Sequence, residues 1–222
     1  MQKRLVGILA FCLVGAFAAN TAMAASASAA PIINKTGPGK ECYPFEGTIY
    51  CYSWTEDYEI VERKSSTQLS TTGNLFTGVE VGGVKCSSAG AKEGEVVTNG
   101  LTETFGFINK AKSEVGLEVK PTTKEGLIAK FKCGVNTVEV RGGVIGKMTP
   151  VNKLVGPTEH FTQIFAQEKG KQEITKFEGG PEVGLEGRID GIPFVRGGLQ
   201  DSGELTPLEF SEILTFPVLE FN

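Results

Sequence analysis

Short runs of Val, Ile, Phe and Thr alternate with polar residues and are cut at close intervals by glycine, and this pattern limits the chain to a β architecture. The sequence holds 29 glycines in 222 residues, and most fall between such runs. In 127–133, Leu127, Ala129, Phe131 and Cys133 share one face, while Ile128, Lys130 and Lys132 share the other. Val115, Leu117 and Val119 alternate against Gly116, Glu118 and Lys120, and Val138 and Val140 against Glu139 and Arg141. A period of two sets one face on a core and the other in water, as in antiparallel sheets. Turn signals at Asn99-Gly100, Gly142-Gly143, Gly156-Pro157 and Gly197-Gly198 separate the runs. In 160–167, Phe161 and Phe165 lie opposite His160 and Ile164, which predicts a strand covered on both faces. A short helical turn is expected within 200–214, limited by Pro207. The fold class expected is all-β, an antiparallel sandwich or barrel of many short strands.

The first 24 residues read as an export signal. Lys3 and Arg4 open it, 5–19 is apolar, and Ala22-Met23-Ala24 supplies the small–x–small pattern cut by signal peptidase. The apolar run is too short to cross a bilayer as a helix, which needs about 20 residues, and no later segment is long enough either. Cys12 is read as part of the signal core. Residues 25–40, rich in Ala, Ser, Pro and Gly, are expected to be a flexible linker, and 41–222 one all-β domain. Cleavage removes Lys3 and Arg4 and no acid, so the formal net charge moves from −4 to −6. That balance argues against nucleic acid and anionic membranes as partners.

Export makes the four remaining cysteines disulfide candidates. With Glu46-Gly47 as a two-residue hairpin turn, Cys42 faces Cys51 at a non-hydrogen-bonded pair, where side chains approach closely. Pro44 lands on the same kind of pair, so its missing N–H costs no ladder bond. Cys86 then pairs with Cys133 by elimination. Loop closure assigns about 2.5–3 kcal/mol to the short bridge and about 4 kcal/mol to the long one. A zinc site would need ligands two to four residues apart, which these are not.

All four tyrosines and the only tryptophan lie between 43 and 58. Tyr50, Tyr52 and Trp54 recur every second residue and so share one face of a strand. Such a row fits two roles. Exposed, it stacks on sugar rings and marks a surface for polysaccharide or another cell-wall polymer; buried, it is a core-facing strand. Catalytic and cofactor chemistry finds no motif. His160 is the single histidine and has no nucleophile-elbow sequence to serve. Asp57, Asp190 and Asp201 fall in no calcium-loop pattern, and the paired glycines do not form a phosphate cradle; they read as bulges or turns.

Several stretches carry a resemblance. Lys85-Cys86-Ser87-Ser88-Ala89-Gly90, Phe131-Lys132-Cys133-Gly134, and the run from Val144-Ile145-Gly146-Lys147 through Met148-Thr149-Pro150-Val151-Asn152-Lys153 are the most specific. Over roughly 85–200 the chain resembles a group of uncharacterised exported actinobacterial all-β proteins with no known activity. The resemblance implies an exported, Gram-positive setting and transfers no functional residues. The wording around Arg141 and Asn152 reads as turn chemistry rather than a site.

The expectation is a secreted, disulfide-bonded structural or binding module of the cell envelope or extracellular space, without enzymatic activity, cofactor or metal. Tyr50, Tyr52 and Trp54 are its candidate ligand-binding residues. The alternatives are a carbohydrate-processing hydrolase using an acidic pair, and a β-barrel holding a small apolar ligand.

Overall fold

The alternating runs pair into sheets that are antiparallel in every register. The computed structural model describes residues 32–65, 67–123, 126–151 and 161–207, and most of these residues lie in strands. In chain order the strands begin with β1 (Ile32–Thr36), β2 (Gly39–Phe45), β3 (Thr48–Trp54), β4 (Glu56–Arg63), β5 (Gln68–Thr71) and β6 (Leu75–Thr77). They continue with β7 (Glu80–Val81), β8 (Val84–Ser88), β9 (Val96–Val97), β10 (Leu101–Asn109), β11 (Glu114–Pro121), β12 (Leu127–Cys133) and β13 (Asn136–Gly142). The last are β14 (Val144–Thr149), β15 (Phe161–Phe165), β16 (Gln167–Glu168), β17 (Lys171–Gln172), β18 (Leu185–Ile189) and β19 (Val195–Pro207).

Eight of these close a barrel. β1, β4, β5, β10, β11, β14, β15 and β19 pair in that order, and β19 returns to β1. Closure removes the free edges that make open sheets prone to association. Outside the barrel a second circuit of pairings runs from β2 through β3, β7, β8, β12, β13 and β18 to the first half of β19, and back to β2. Its thinnest joint is the single pair Ser53↔Glu80 between β3 and β7. The two circuits share chain. β1 passes into β2 across Gly37-Pro38, β3 into β4 at Thr55, β13 into β14 at Gly143, and β19 takes part in both.

The inward faces follow the period of two. Ala129, Phe131 and Cys133 are buried and Lys130 and Lys132 exposed, with a bulge between Leu127 and Ala129. Val115, Leu117, Val138 and Val140 are buried as expected. Tyr43 is fully buried, and glycine makes its site possible. A Cβ on Gly187 would lie 2.5 Å from the Tyr43 ring, and one on Gly197 would overlap the same ring.

Both disulfides form as derived. Cys42–Cys51 sits in a hairpin whose register is Tyr43↔Tyr50, Pro44↔Ile49 and Phe45↔Thr48. Glu46 (φ 44°) and Gly47 (φ 82°) make its turn, the left-handed pair that two-residue hairpins use. Cys86–Cys133 joins directly opposed residues of β8 and β12 inside the core.

Four expectations need correction. Residues 32–36 are not part of a flexible linker, because β1 is hydrogen-bonded on both sides, to β4 and β19, and β2 starts at Gly39. The helical turn expected from 200 is instead the second half of β19, whose alternating partners on β15 hold it extended; 208–214 lie outside the described residues. Gly197-Gly198 is not a turn but mid-strand, at the close approach of Tyr43 and the β16–β17 ribbon. Ile164 is not covered: it is 43% exposed, on the face of β15 that points away from the barrel. The signal segment, His160 and Asn152 lie outside the described residues.

Candidate functional site

The predicted aromatic strip is split by the fold. Tyr50, at the open end of β3, is 42% exposed, whereas Tyr52 and Trp54 are 4% and 6% exposed. The three share one strand face, but only its tip reaches solvent, so they do not form an exposed stacking platform. Tyr52 and Trp54 instead wall an interior cavity of about 100 Å³ at the junction of the barrel and the second circuit.

The cavity wall is mostly aromatic and aliphatic. Phe76, Phe131 and Phe165 join Tyr52 and Trp54. Trp54 meets Phe76 edge-on at 5.0 Å between centroids, and Tyr52 meets Phe131 edge-on at 5.7 Å, the geometry that ring quadrupoles favour. Gly39, opposite Trp54 in the β2–β3 register, sets the indole position. A Cβ there would lie 2.5 Å from Trp54 Cζ2 and 2.8 Å from Asp201 Oδ1, so indole and carboxylate crowd the same glycine.

Polar groups interrupt this wall. Glu41, Asp57, Glu103 and Asp201 contribute carboxyls, Asn74 and Gln163 amides. Three of them enter by the same route, a polar residue at an inward position of an alternating strand. Glu41 is in phase with Tyr43 and Phe45 on β2, Glu103 with Leu101 and Phe105 on β10, and Gln163 with Phe161 and Phe165 on β15. That phase was visible in the sequence and is the signal that would have found them.

Four polar atoms of the wall have no hydrogen-bond partner among the described residues. Trp54 Nε1, Gln163 Nε2, Asn74 Oδ1 and Glu41 Oε1 are sealed from solvent without a hydrogen bond. Glu41 as a residue is half-buried, yet its carboxyl oxygen is enclosed. Burial pushes its pKa up to about 8, so the acid is protonated at neutral pH. The Tyr52 hydroxyl directly across the hairpin is also held above its ordinary range, first by burial and then by the charges of Glu41, Tyr50 and Asp190.

The outer face of the second circuit is a ladder of ion pairs. Glu139 takes Lys130 at 2.8 Å and also Arg188, and these hydrogen bonds hold its carboxyl below the usual range. Arg141 pairs with Glu186 at 2.8 Å and stacks on Phe194 at 3.8 Å, with Arg188 over the same ring at 4.5 Å. Exposed pairs of this kind contribute about 0–1 kcal/mol each. Arg141 therefore serves sheet packing. Among the described residues no three His, Cys, Asp or Glu side chains converge to hold a metal ion, and no helix is long and apolar enough to cross a membrane.

Searches of family models, curated proteins and solved structures returned no match to this chain.

Proposed function

We propose that this chain is a secreted, non-enzymatic binding module of the cell envelope or extracellular space, and that its ligand is a small molecule held inside the β structure rather than a polymer on its surface. The observation that carries this reading is the cavity lined by Tyr52 and Trp54, into which Trp54 Nε1, Gln163 Nε2, Asn74 Oδ1 and Glu41 Oε1 bring hydrogen-bonding capacity that no group among the described residues uses. Each such buried atom costs about 1–3 kcal/mol when unsatisfied. A wall built for packing alone would be apolar at these positions. A ligand with apolar faces and polar edges recovers that cost. The two disulfides fit an oxidising compartment.

Trp54 is the only tryptophan and stands in the cavity wall, so its emission reports occupancy directly. Titration of the mature protein with a panel of small amines, alcohols and amides is expected to shift or quench that emission saturably. Emission unchanged by every compound, together with loss of emission on adding soluble wall polymer, would return the reading to surface binding.

A hydrolase reading draws on one observation. Glu41 is held protonated at neutral pH in the same cavity as Asp57, Glu103 and Asp201, the state a general acid needs. Release of reducing ends from a glycan panel, abolished by Glu41→Gln, supports it; intact glycans after prolonged incubation support the binding module.

A further inference from the structure

We infer that the interior ligand is a small organic cation, a protonated amine on a compact apolar body, with its ammonium at Glu41 and its body against Tyr52, Trp54 and Phe131. The inference rests on the reading of the cavity as the binding site and adds the ligand's charge.

Three features converge on it. First, Glu41 and Tyr52 are directly opposed on the β2–β3 hairpin, and Leu199 opposes Glu41 from β19, so the acid is flanked by an aromatic ring and an aliphatic chain. Glu41 Oε1 has no hydrogen-bond partner there among the described residues. Ionising a carboxyl in that setting is costly, and an ammonium brought to it restores the ionised form by a charge-assisted hydrogen bond. Second, of the four acids that line the cavity, Asp57, Glu103 and Asp201 already interact within the protein, which leaves Glu41 as the acid for a ligand to engage. Third, the apolar wall is rich in rings, and ring faces attract cations more strongly where water is excluded.

The size and arrangement narrow the class further. A cavity of about 150 Å³ takes up one benzene-sized molecule, and about 100 Å³ here calls for a ligand smaller than benzene. A bare metal ion is a poor match, because no three candidate ligands converge among the described residues. Asn74 Oδ1 accepts a second N–H of the ammonium or another donor on the ligand, while Trp54 Nε1 and Gln163 Nε2 donate to an acceptor on it. A zwitterion or amino alcohol satisfies both kinds of group; a hydrocarbon satisfies neither.

The test compares isosteres by Trp54 fluorescence on the mature, disulfide-bonded protein at neutral pH. Methylammonium and ethylammonium are set against methanol and ethanol. The inference expects each ammonium to bind at least about tenfold more tightly than its neutral counterpart, the worth of one charge-assisted hydrogen bond. Glu41→Gln, an isostere of the protonated acid, is expected to bring the two within about twofold of each other, with unfolding midpoint retained or raised as the check that it folds. Neutral probes binding as tightly as ammonium probes overturn the cation while leaving the cavity as the binding site. A Trp54 signal unmoved by either set at millimolar concentration overturns both readings. A preference for ammonium that Glu41→Gln leaves intact overturns the placement at Glu41.

Discussion

Replacing Glu41 with glutamine isolates the one carboxyl that the interior keeps neutral. An ordinary glutamate ionises near 4.5, and in the fold burial raises that to about 8. Between those values the unfolded chain has lost the proton and the folded chain has kept it. The fold therefore binds the extra proton, and stability falls as pH rises through this window. The contribution is at its most favourable below pH 4.5 and is fully lost above pH 8. At about 1.4 kcal/mol per pH unit the whole span amounts to roughly 5 kcal/mol, and roughly 3 kcal/mol of it has been lost by pH 7. An amide cannot ionise, so the Glu41→Gln variant should match the wild type near pH 4 and exceed it by roughly 3 kcal/mol at pH 7. Urea unfolding of both proteins with disulfides intact, at about pH 5, 7 and 8.5, reads the difference directly, because every other titrating group cancels between them. Parallel stability curves across that range would refute the reasoning, since they would mean that the carboxyl ionises as freely in the fold as out of it.

Further outcomes follow from packing and cross-links. Removing the Cys86–Cys133 bridge by paired alanine substitution should cost about 4 kcal/mol and removing Cys42–Cys51 about 3 kcal/mol, from sequence separations of 47 and 9; urea midpoints rank them, and the native protein should show no alkylatable thiol at any of the four positions. Gly39→Ala drives a Cβ to 2.5 Å from the Trp54 indole, which should cost about 1–3 kcal/mol and move the Trp54 emission maximum. Unchanged emission would mean that the indole is not seated on Gly39. Phe194→Ala removes the ring between Arg141 and Arg188 and should cost about 1 kcal/mol in thermal unfolding while leaving ligand binding at Trp54 unaltered.

Much of the scaffold was legible because its rules are local. The Cys42–Cys51 hairpin followed from Glu46-Gly47 and the count outward from it, and the faces of 115–119, 127–133 and 138–140 followed from alternation. What was not legible depends on which strands meet. Barrel closure rests on pairings such as Ile32↔Pro207, across almost the whole described chain, and no local pattern encodes them. Tyr50, Tyr52 and Trp54 share one strand face as their spacing requires, but spacing alone cannot say whether that face meets water or another strand. Glu41, Glu103 and Gln163 escaped notice for a related reason. Each breaks the apolar face of its strand, and a single polar residue in such a face reads as irregular patterning until the opposing wall is known. Gly197-Gly198 misled because glycine serves both turns and close approaches, and only the Tyr43 ring distinguishes them.

The placement of β19 bears on how the protein reaches this state. It is the last described strand, and it pairs with β1, β2, β15 and β18. A chain emerging from its N-terminus onward therefore carries two incomplete rings until Val195–Pro207 appears, and then both can shut at once. Nascent chains stalled before Val195 are left with four unsatisfied strand edges, a form that holdases and proteases would recognise. Closure of both rings thus requires one late segment of the chain.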